Sequence, residues 1–275
     1  PNTLSGPGRL KAGPILGYPG PLSKMKLAGY RAQAVVRFNP NDREIGVGPG
    51  NGYSNVTTLG DDDSQPKVDF QVTRLVKAKP FGETDWSKLL DVPSKLLTQF
   101  HKRPVSLRAA VILPASYREQ PKRRYPVILT IPGFGGTHHG GSTPRPVAAR
   151  NEGGVEFLRV VLDPSCRLGH HVFADSANNG PVGKALTTEL IPALNKRFRT
   201  IPRASARFLT GHSSGGWSSL WLQVTYPEVF GGTWSTAPDP VDFRDFQRIN
   251  LYRSGENMYV DGRGERRPLA RVNGQ

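Results

Sequence analysis

Residues 206–227 place the strongest constraint on how this chain folds. Ala206 to Thr210 reads as a short β-strand, and Gly215 to Pro227 reads as a helix with Leu220, Leu222 and Val224 as packing candidates. Between them stands Gly211-His212-Ser213-Ser214-Gly215, which fits G-x-S-x-G. In a glycine-rich chain such a match is weak alone; its position between a strand and a helix gives it weight. A sharp strand-to-helix turn lifts the serine oxygen clear of the backbone, and the two glycines permit both the strained turn and close packing of strand on helix. The positive end of the following helix favours negative charge developing beside Ser213. Ser213 is therefore the candidate nucleophile.

The surrounding pattern alternates strand with helix. Val127 to Ile131 is apolar but for Thr130, and Val155 to Leu162 is similar apart from Glu156 and Arg159. Such runs suit parallel strands covered on both faces. In residues 183–198, Leu186, Leu190, Leu194 and Phe198 recur every four positions, which predicts a helix with one apolar face, kinked at Pro192. Gly232 to Thr236 reads as a further strand. The order strand, helix, strand, helix is that of an α/β fold.

The earlier part of the chain differs. Alternation over Ala32–Phe38, Val68–Thr73 and Val105–Val111 predicts strands with one buried face, separated by Gly-, Pro- and Asn-rich turns. An amphipathic helix is predicted over about 87–100, where Leu89, Leu90, Leu96 and Leu97 sit. Residues 1–118 read as a small β-rich N-terminal domain with an extended N-terminal arm, and residues 119–275 as the α/β domain. The basic stretch from Tyr117 to Tyr125 serves as linker or hairpin loop.

An acyl-transfer site needs donors aimed at the charge that develops on the attacked carbonyl oxygen. One comes from the backbone N–H after the nucleophile, here Ser214. The second comes from a loop after an earlier strand; Pro132-Gly133-Phe134-Gly135-Gly136 follows the 127–131 strand, which makes the Phe134 N–H the candidate.

The net charge of +15, from 37 Lys and Arg against 22 Asp and Glu, raises a polyanion partner as a function class. The basic residues are dispersed, with short clusters only at Lys122-Arg123-Arg124 and Arg266-Arg267, and no nucleic-acid motif accompanies them, so nucleic acid is not an expected partner. No apolar run approaches the roughly 18 residues of a membrane span. The single cysteine, Cys166, cannot form an internal disulfide and leaves the compartment open, although a secreted or extracytoplasmic location is slightly favoured; a chain that begins at Pro1 is expected to have lost a targeting segment or to have been trimmed. His138-His139 and His170-His171 lack the carboxylate or cysteine spacing of a metal site, and no cofactor is expected.

Four segments together resemble the esterase D-type family of the α/β-hydrolase superfamily, which includes feruloyl, acetyl-xylan and siderophore esterases and mycolyl transferases. They are YPVILTIPGFGG (125–136), ALTTELIPALNKRF (185–198), FLTGHSSGGWSSLW (208–221) and YPEVFGG (226–232). The stretch from Ser94 to Tyr117 resembles the β-rich lead-in of some bacterial members. The resemblance implies a doubly wound, mostly parallel α/β-hydrolase sheet, Ser213 as nucleophile, and Phe134 and Ser214 as the oxyanion hole. The family often has histidine before the glycine of the oxyanion loop; here Pro132 stands there, which leaves the backbone donors untouched.

The superfamily order is serine, then a carboxylate, then histidine. The six histidines are His101, His138, His139, His170, His171 and His212, and none follows Ser213. His212, next to the serine, is expected to point away from its oxygen. His138, His170 and His171 lie after strands whose ends should face the site and are candidate substrate contacts. Asp239, after the 232–236 strand, is the candidate acid, although in the family the acid more often follows the next strand. The expectation is therefore an incomplete sheet, in a hydrolase whose remaining C-terminal part supplies the base. The leading functional expectation is a serine carboxyl-ester hydrolase working through an acyl-enzyme on Ser213, with a small-molecule or carbohydrate ester as substrate by resemblance. Two others stand beside it: a non-catalytic module of hydrolase-like fold binding a carbohydrate or polyanion, and an acyltransferase.

Overall fold

The computed structural model describes residues 29–44, 47–58, 70–147, 154–245, 249–257 and 259–267. It divides into two compact units: one runs to Pro80 and includes Cys166–Gly169, and the other holds Phe81–Ser165 and the chain from His170 onward.

The first unit is made of short strands. Val35–Val36, Gly52–Ser54 and Val72–Leu75 form an antiparallel sheet, and Arg31–Ala32 pairs with Thr57–Thr58. The strand expected over Ala32–Phe38 is interrupted at residues 33–34, and the one expected from Val68 lies partly outside the described residues, as does most of the expected N-terminal arm. Asn51, fully buried, holds the turns together: its Oδ1 accepts from the Asn39 N–H at 2.8 Å and its Nδ2 donates to the Glu44 carbonyl at 3.3 Å.

The second unit is built on a six-stranded sheet of β1 (Ser87–Pro93), β2 (Ser106–Ile112), β3 (Val127–Ile131), β4 (Leu158–Leu162), β5 (Arg207–His212) and β6 (Gly232–Thr236), in the spatial order β6-β5-β3-β4-β2-β1. β3, β4, β5 and β6 are mutually parallel, and β2 pairs antiparallel with both β4 and β1. The sheet is the mixed, mostly parallel one of an α/β fold. The boundary expected near residue 118 is corrected here: β1 and β2 belong to this sheet, with Leu90 opposite Ala109 and Ala109 opposite Leu162, so the units divide at Pro80–Phe81.

The helix expected over 87–100 is likewise corrected to a strand followed by a short helix, α1 (Lys95–His101). Leucine pairs seven residues apart satisfy a helical face, but pairing with β2 claims the first pair for the sheet. The Ser94 hydroxyl then caps α1 by accepting from the Leu97 N–H at 3.0 Å. Glu189 accepts from the Lys95 and Leu96 N–H groups at 2.9 and 3.0 Å and from the Ser94 hydroxyl, so a carboxylate distant in sequence completes the cap.

Residues 182–197 are helical throughout, as α2 (Val182–Ala185), a π-helical turn over Leu186–Leu190 and α3 (Ile191–Arg197). At the place where Pro192 was expected to kink the helix, a wider π turn precedes it. Proline has no N–H to continue an i→i−4 ladder, and here the Ile191 N–H donates to the Leu186 carbonyl five residues back, which brings Pro192 into the first turn of α3. α4 (Ser214–Thr225) follows β5.

Alternation along β2 and β4 separates two apolar clusters. Ala109, Val111, Val160 and Leu162 join Leu129, Ile131, Leu186, Leu190, Leu194 and Leu222 in the main core, while Ala110, Ile112 and Val161 face the other way with Phe81 and Val147. The 127–131 run is thus less evenly covered than its composition predicts: Val127, Leu129 and Ile131 are buried, whereas Ile128 and Thr130 are only partly so. The carboxyl ends of β3, β4, β5 and β6 lead directly into Pro132, Asp163, Ser213 and the segment carrying Asp239.

Candidate active site

Ser213 sits at the turn between β5 and α4 with φ 57° and ψ −126°. Non-glycine residues rarely take such a conformation, and it costs about 1–3 kcal/mol unless the surroundings enforce it. The enforcement is visible. The Ser213 N–H donates to the Thr236 carbonyl at the end of β6 at 3.1 Å, and its carbonyl accepts from Trp217 N–H at 3.0 Å inside α4.

The flanking glycines are sterically required. A Cβ on Gly211 would stand 2.0 Å from the Gly215 carbonyl oxygen, and one on Gly215 would stand 2.0 Å from the Ile131 oxygen and 2.7 Å from the Pro132 oxygen. Strand β5, helix α4 and the end of β3 therefore meet backbone to backbone, which brings the loop after β3 against the serine. Within that loop a Cβ on Gly133 would lie 3.4 Å from Ser213 Cβ and 3.9 Å from its Oγ. The Gly136 N–H closes a turn onto the Gly133 carbonyl at 3.0 Å, with Gly135 at φ 92°, a sign that suits glycine. Phe134 is at the turn's outer corner, 68% exposed, and Ser214 is buried in the first turn of α4.

The Ser213 hydroxyl donates to Asp239 Oδ1 at 3.3 Å, and the Ser214 hydroxyl donates to Asp239 Oδ2 at 2.6 Å. The expected acid therefore touches the serine itself, with no imidazole between them. His212 is exposed.

The structure separates the three histidines expected to contact substrate. His138 is 5% exposed; its Nδ1 lies 2.7 Å from Asp163 Oδ2, and its ring stacks on Phe81. Burial pushes the Asp163 carboxyl up, but hydrogen bonds from His138 and from Ser165 outweigh it, and its pKa lies below the ordinary value. His171 is buried, its Nδ1 accepts from the Phe173 N–H at 3.1 Å, and burial, with His170 beside it, lowers its pKa to about 3, so it is neutral at ordinary pH. His170 is the one that meets the loop after β3: its Nε2 lies 2.9 Å from the Pro132 carbonyl oxygen.

Asp163 and its link to His138 escaped the sequence reading, although a carboxylate directly after the Val160-Val161-Leu162 run is a signal at the end of a strand that faces the site. A cavity of about 780 Å³, lined by Ile128, Thr130, Arg145, Arg159 and Thr210 among others, holds none of these residues. Among the described residues no group of three or more His, Cys, Asp and Glu is placed to hold a metal ion, and no helix is long and apolar enough to cross a membrane.

A strand, a strained serine turn and a helix, faced by a glycine-rich loop from the neighbouring parallel strand, are the arrangement of the α/β esterases. The chain belongs to the Putative esterase family, whose model matches residues 104–242. Solved structures similar to part of this chain include a ferulic acid esterase, at 19% identity over 55% of this chain and 59% of the other, with a TM-score of 0.41. A ferulic acid esterase from Anaeromyces mucronatus matches at 19% identity over 59% of this chain and 62% of the other, TM-score 0.41. An S-formylglutathione hydrolase from Agrobacterium tumefaciens matches at 19% identity over 54% and 56%, TM-score 0.39. The chain thus spans less than two thirds of the length of these solved structures. No curated protein matches it.

Proposed function

We propose that the Ser213 region is the nucleophile-bearing part of a carboxyl-ester hydrolase that works through an acyl-enzyme. Ser213 Oγ attacks the ester carbonyl carbon, and the hydroxyl proton passes to a base. The carbonyl oxygen becomes an oxyanion held by the Phe134 and Ser214 N–H groups. Collapse expels the alcohol, which takes the proton. Water then attacks the acyl carbon, and Ser213 regains its proton as the acid leaves. Asp239 holds the Ser213 and Ser214 hydroxyls in place. The proton acceptor this chemistry calls for is an imidazole, while the Ser213 hydroxyl donates to Asp239. The family resemblance points to a carbohydrate ester as substrate, and the loop that Gly133 brings against the serine carries one exposed apolar side chain, Phe134.

The observation that carries this reading is the positive φ of Ser213, retained by contacts with β6 and α4 although any glycine would relieve it. The test is covalent labelling by a fluorophosphonate, located by peptide mass spectrometry. The reading expects one adduct, on Ser213, and none in Ser213→Ala.

One observation favours a second reading, a binding module that has lost its chemistry: the hydroxyl's partner is a carboxylate where a histidine is required. That reading expects no adduct, together with polyanion binding that weakens steeply with salt. An acyltransferase would label as the hydrolase does and differ in product, passing the acyl group to an added sugar alcohol.

A further inference from the structure

The loop that would bind the oxyanion is Pro132-Gly133-Phe134-Gly135-Gly136, closed by the Gly136 N–H on the Gly133 carbonyl at 3.0 Å. Donors that stabilise a developing charge must be held in place before the reaction, because a misplacement of about 1 Å costs roughly 100-fold in rate. A hydrogen bond to the start of the loop from outside it adds to that hold.

His170 is in that position. The Pro132 carbonyl can only accept, so the Nε2 that lies 2.9 Å from it carries the ring proton. Nδ1 is unprotonated, since it accepts from the Val172 N–H at 3.0 Å. The tautomer is fixed from both sides: the ring points its one proton at the loop and keeps its lone pair for its own turn. This also separates His170 from the proton acceptor, because its lone pair is already used.

The turn that presents His170 is itself strained. Val172 and Phe173 are consecutive non-glycine residues at φ 48° and 52°, and a β-branched residue there is a rare outlier. The turn is held by the His171 N–H on the Pro164 carbonyl at 3.0 Å, by His171 Nδ1 accepting from the Phe173 N–H at 3.1 Å, and by the Phe173 ring, 1% exposed in the core. Strain maintained by this many contacts marks a device that aims a side chain.

We infer that His170 is a positioning residue for the oxyanion hole: its Nε2–H fixes the Pro132 carbonyl and so sets where the Phe134 N–H points. The inference rests on the esterase reading of Ser213. Two substitutions separate positioning from mere structural support. In His170→Asn the short amide can still accept from the Val172 N–H but does not reach Pro132. In His170→Gln the longer amide reaches the Pro132 carbonyl and donates to it.

The readout is the rate of fluorophosphonate labelling at Ser213, taken beside the thermal midpoint of each protein. Positioning predicts labelling slowed at least about 10-fold in His170→Asn and recovered to within about threefold in His170→Gln, as expected when an oxyanion donor is shifted and then restored. Equal labelling of all three proteins overturns the inference while leaving the esterase reading intact, as does labelling that simply follows the thermal midpoint. An unlabelled wild type overturns the esterase reading and this inference with it. A measurement on the unmodified protein stands beside these: ring ¹⁵N shifts that place the His170 proton on Nε2 support the assignment, and a proton on Nδ1 overturns it.

Discussion

Gly133 lies against Ser213 so closely that a methyl group on its Cα would stand 3.4 Å from the serine Cβ and 3.1 Å from the His212 carbonyl oxygen. That contact joins the loop after β3 to the turn after β5. Gly133→Ala must push the two apart by a few tenths of an ångström. The expected result is a folded protein whose labelling at Ser213 is slowed about 10- to 100-fold, in line with a displaced oxyanion donor. Unchanged labelling would mean that the loop takes no part.

Gly215→Ala should fail differently. Its Cβ would fall 2.0 Å from the Ile131 oxygen, against backbone with no flexible end to yield. A loss of stability of about 3 kcal/mol or more is expected, at the upper end of what overpacking costs. Chemical denaturation measures it, and a near-native midpoint would contradict the packing described.

Ser213→Gly tests the strain directly. Glycine adopts the positive φ without penalty but also loosens the unfolded chain, so a net gain of about 1 kcal/mol is expected, with labelling abolished. Ser213→Ala should abolish labelling without the gain. Equal thermal midpoints for the two variants would show that the turn stores no strain.

His171 makes stability depend on pH. Its pKa is lowered from 6.5 to about 3 by burial first and by the neighbouring His170 second. The unfolded chain therefore binds a proton that the folded chain refuses between those values, and stability falls as pH drops from about 6.5 toward 3. Asp163 adds a loss of the same sign, since hydrogen bonds from His138 and Ser165 hold its pKa below the ordinary value. His171→Gln should flatten the upper part of this decline when melting is followed from pH 7 to pH 4. An unchanged slope would exclude His171 as its source.

Glu189→Ala removes the carboxylate that accepts from two backbone N–H groups and the Ser94 hydroxyl at the start of α1. Destabilisation of about 2 kcal/mol is expected for losing a charged cap, with little change in labelling, and thermal melting with the labelling assay checks both.

What was legible in the sequence follows from where the information lies. The serine turn was legible because strand, glycine spacing and helix are contiguous and each obeys a local rule. The α/β order was legible because β3 and β4 are apolar runs and helical periodicity follows over 183–198 and 215–227. The lead-in was misread where one pattern serves two structures: Leu89, Leu90, Leu96 and Leu97 satisfy a helix, and only pairing with Ser106–Ile112 makes the first part a strand. Pro192 breaks the regular helical ladder as its chemistry predicts, and the form the break takes, a π turn just before it, was not legible. The contacts that set the candidate site are between residues remote in sequence. Nothing near His170 announces Pro132, and nothing near His138 announces Asp163; the sheet brings the strand ends together, and the pairs follow from that.

The most direct test of the central claim is the structure of the fluorophosphonate adduct. The account predicts phosphorus bonded to Ser213 Oγ and the phosphonyl oxygen about 2.7–3.1 Å from both the Phe134 and Ser214 nitrogens, the range of an occupied oxyanion hole. An adduct on another residue, or a phosphonyl oxygen turned away from those two groups, would contradict it.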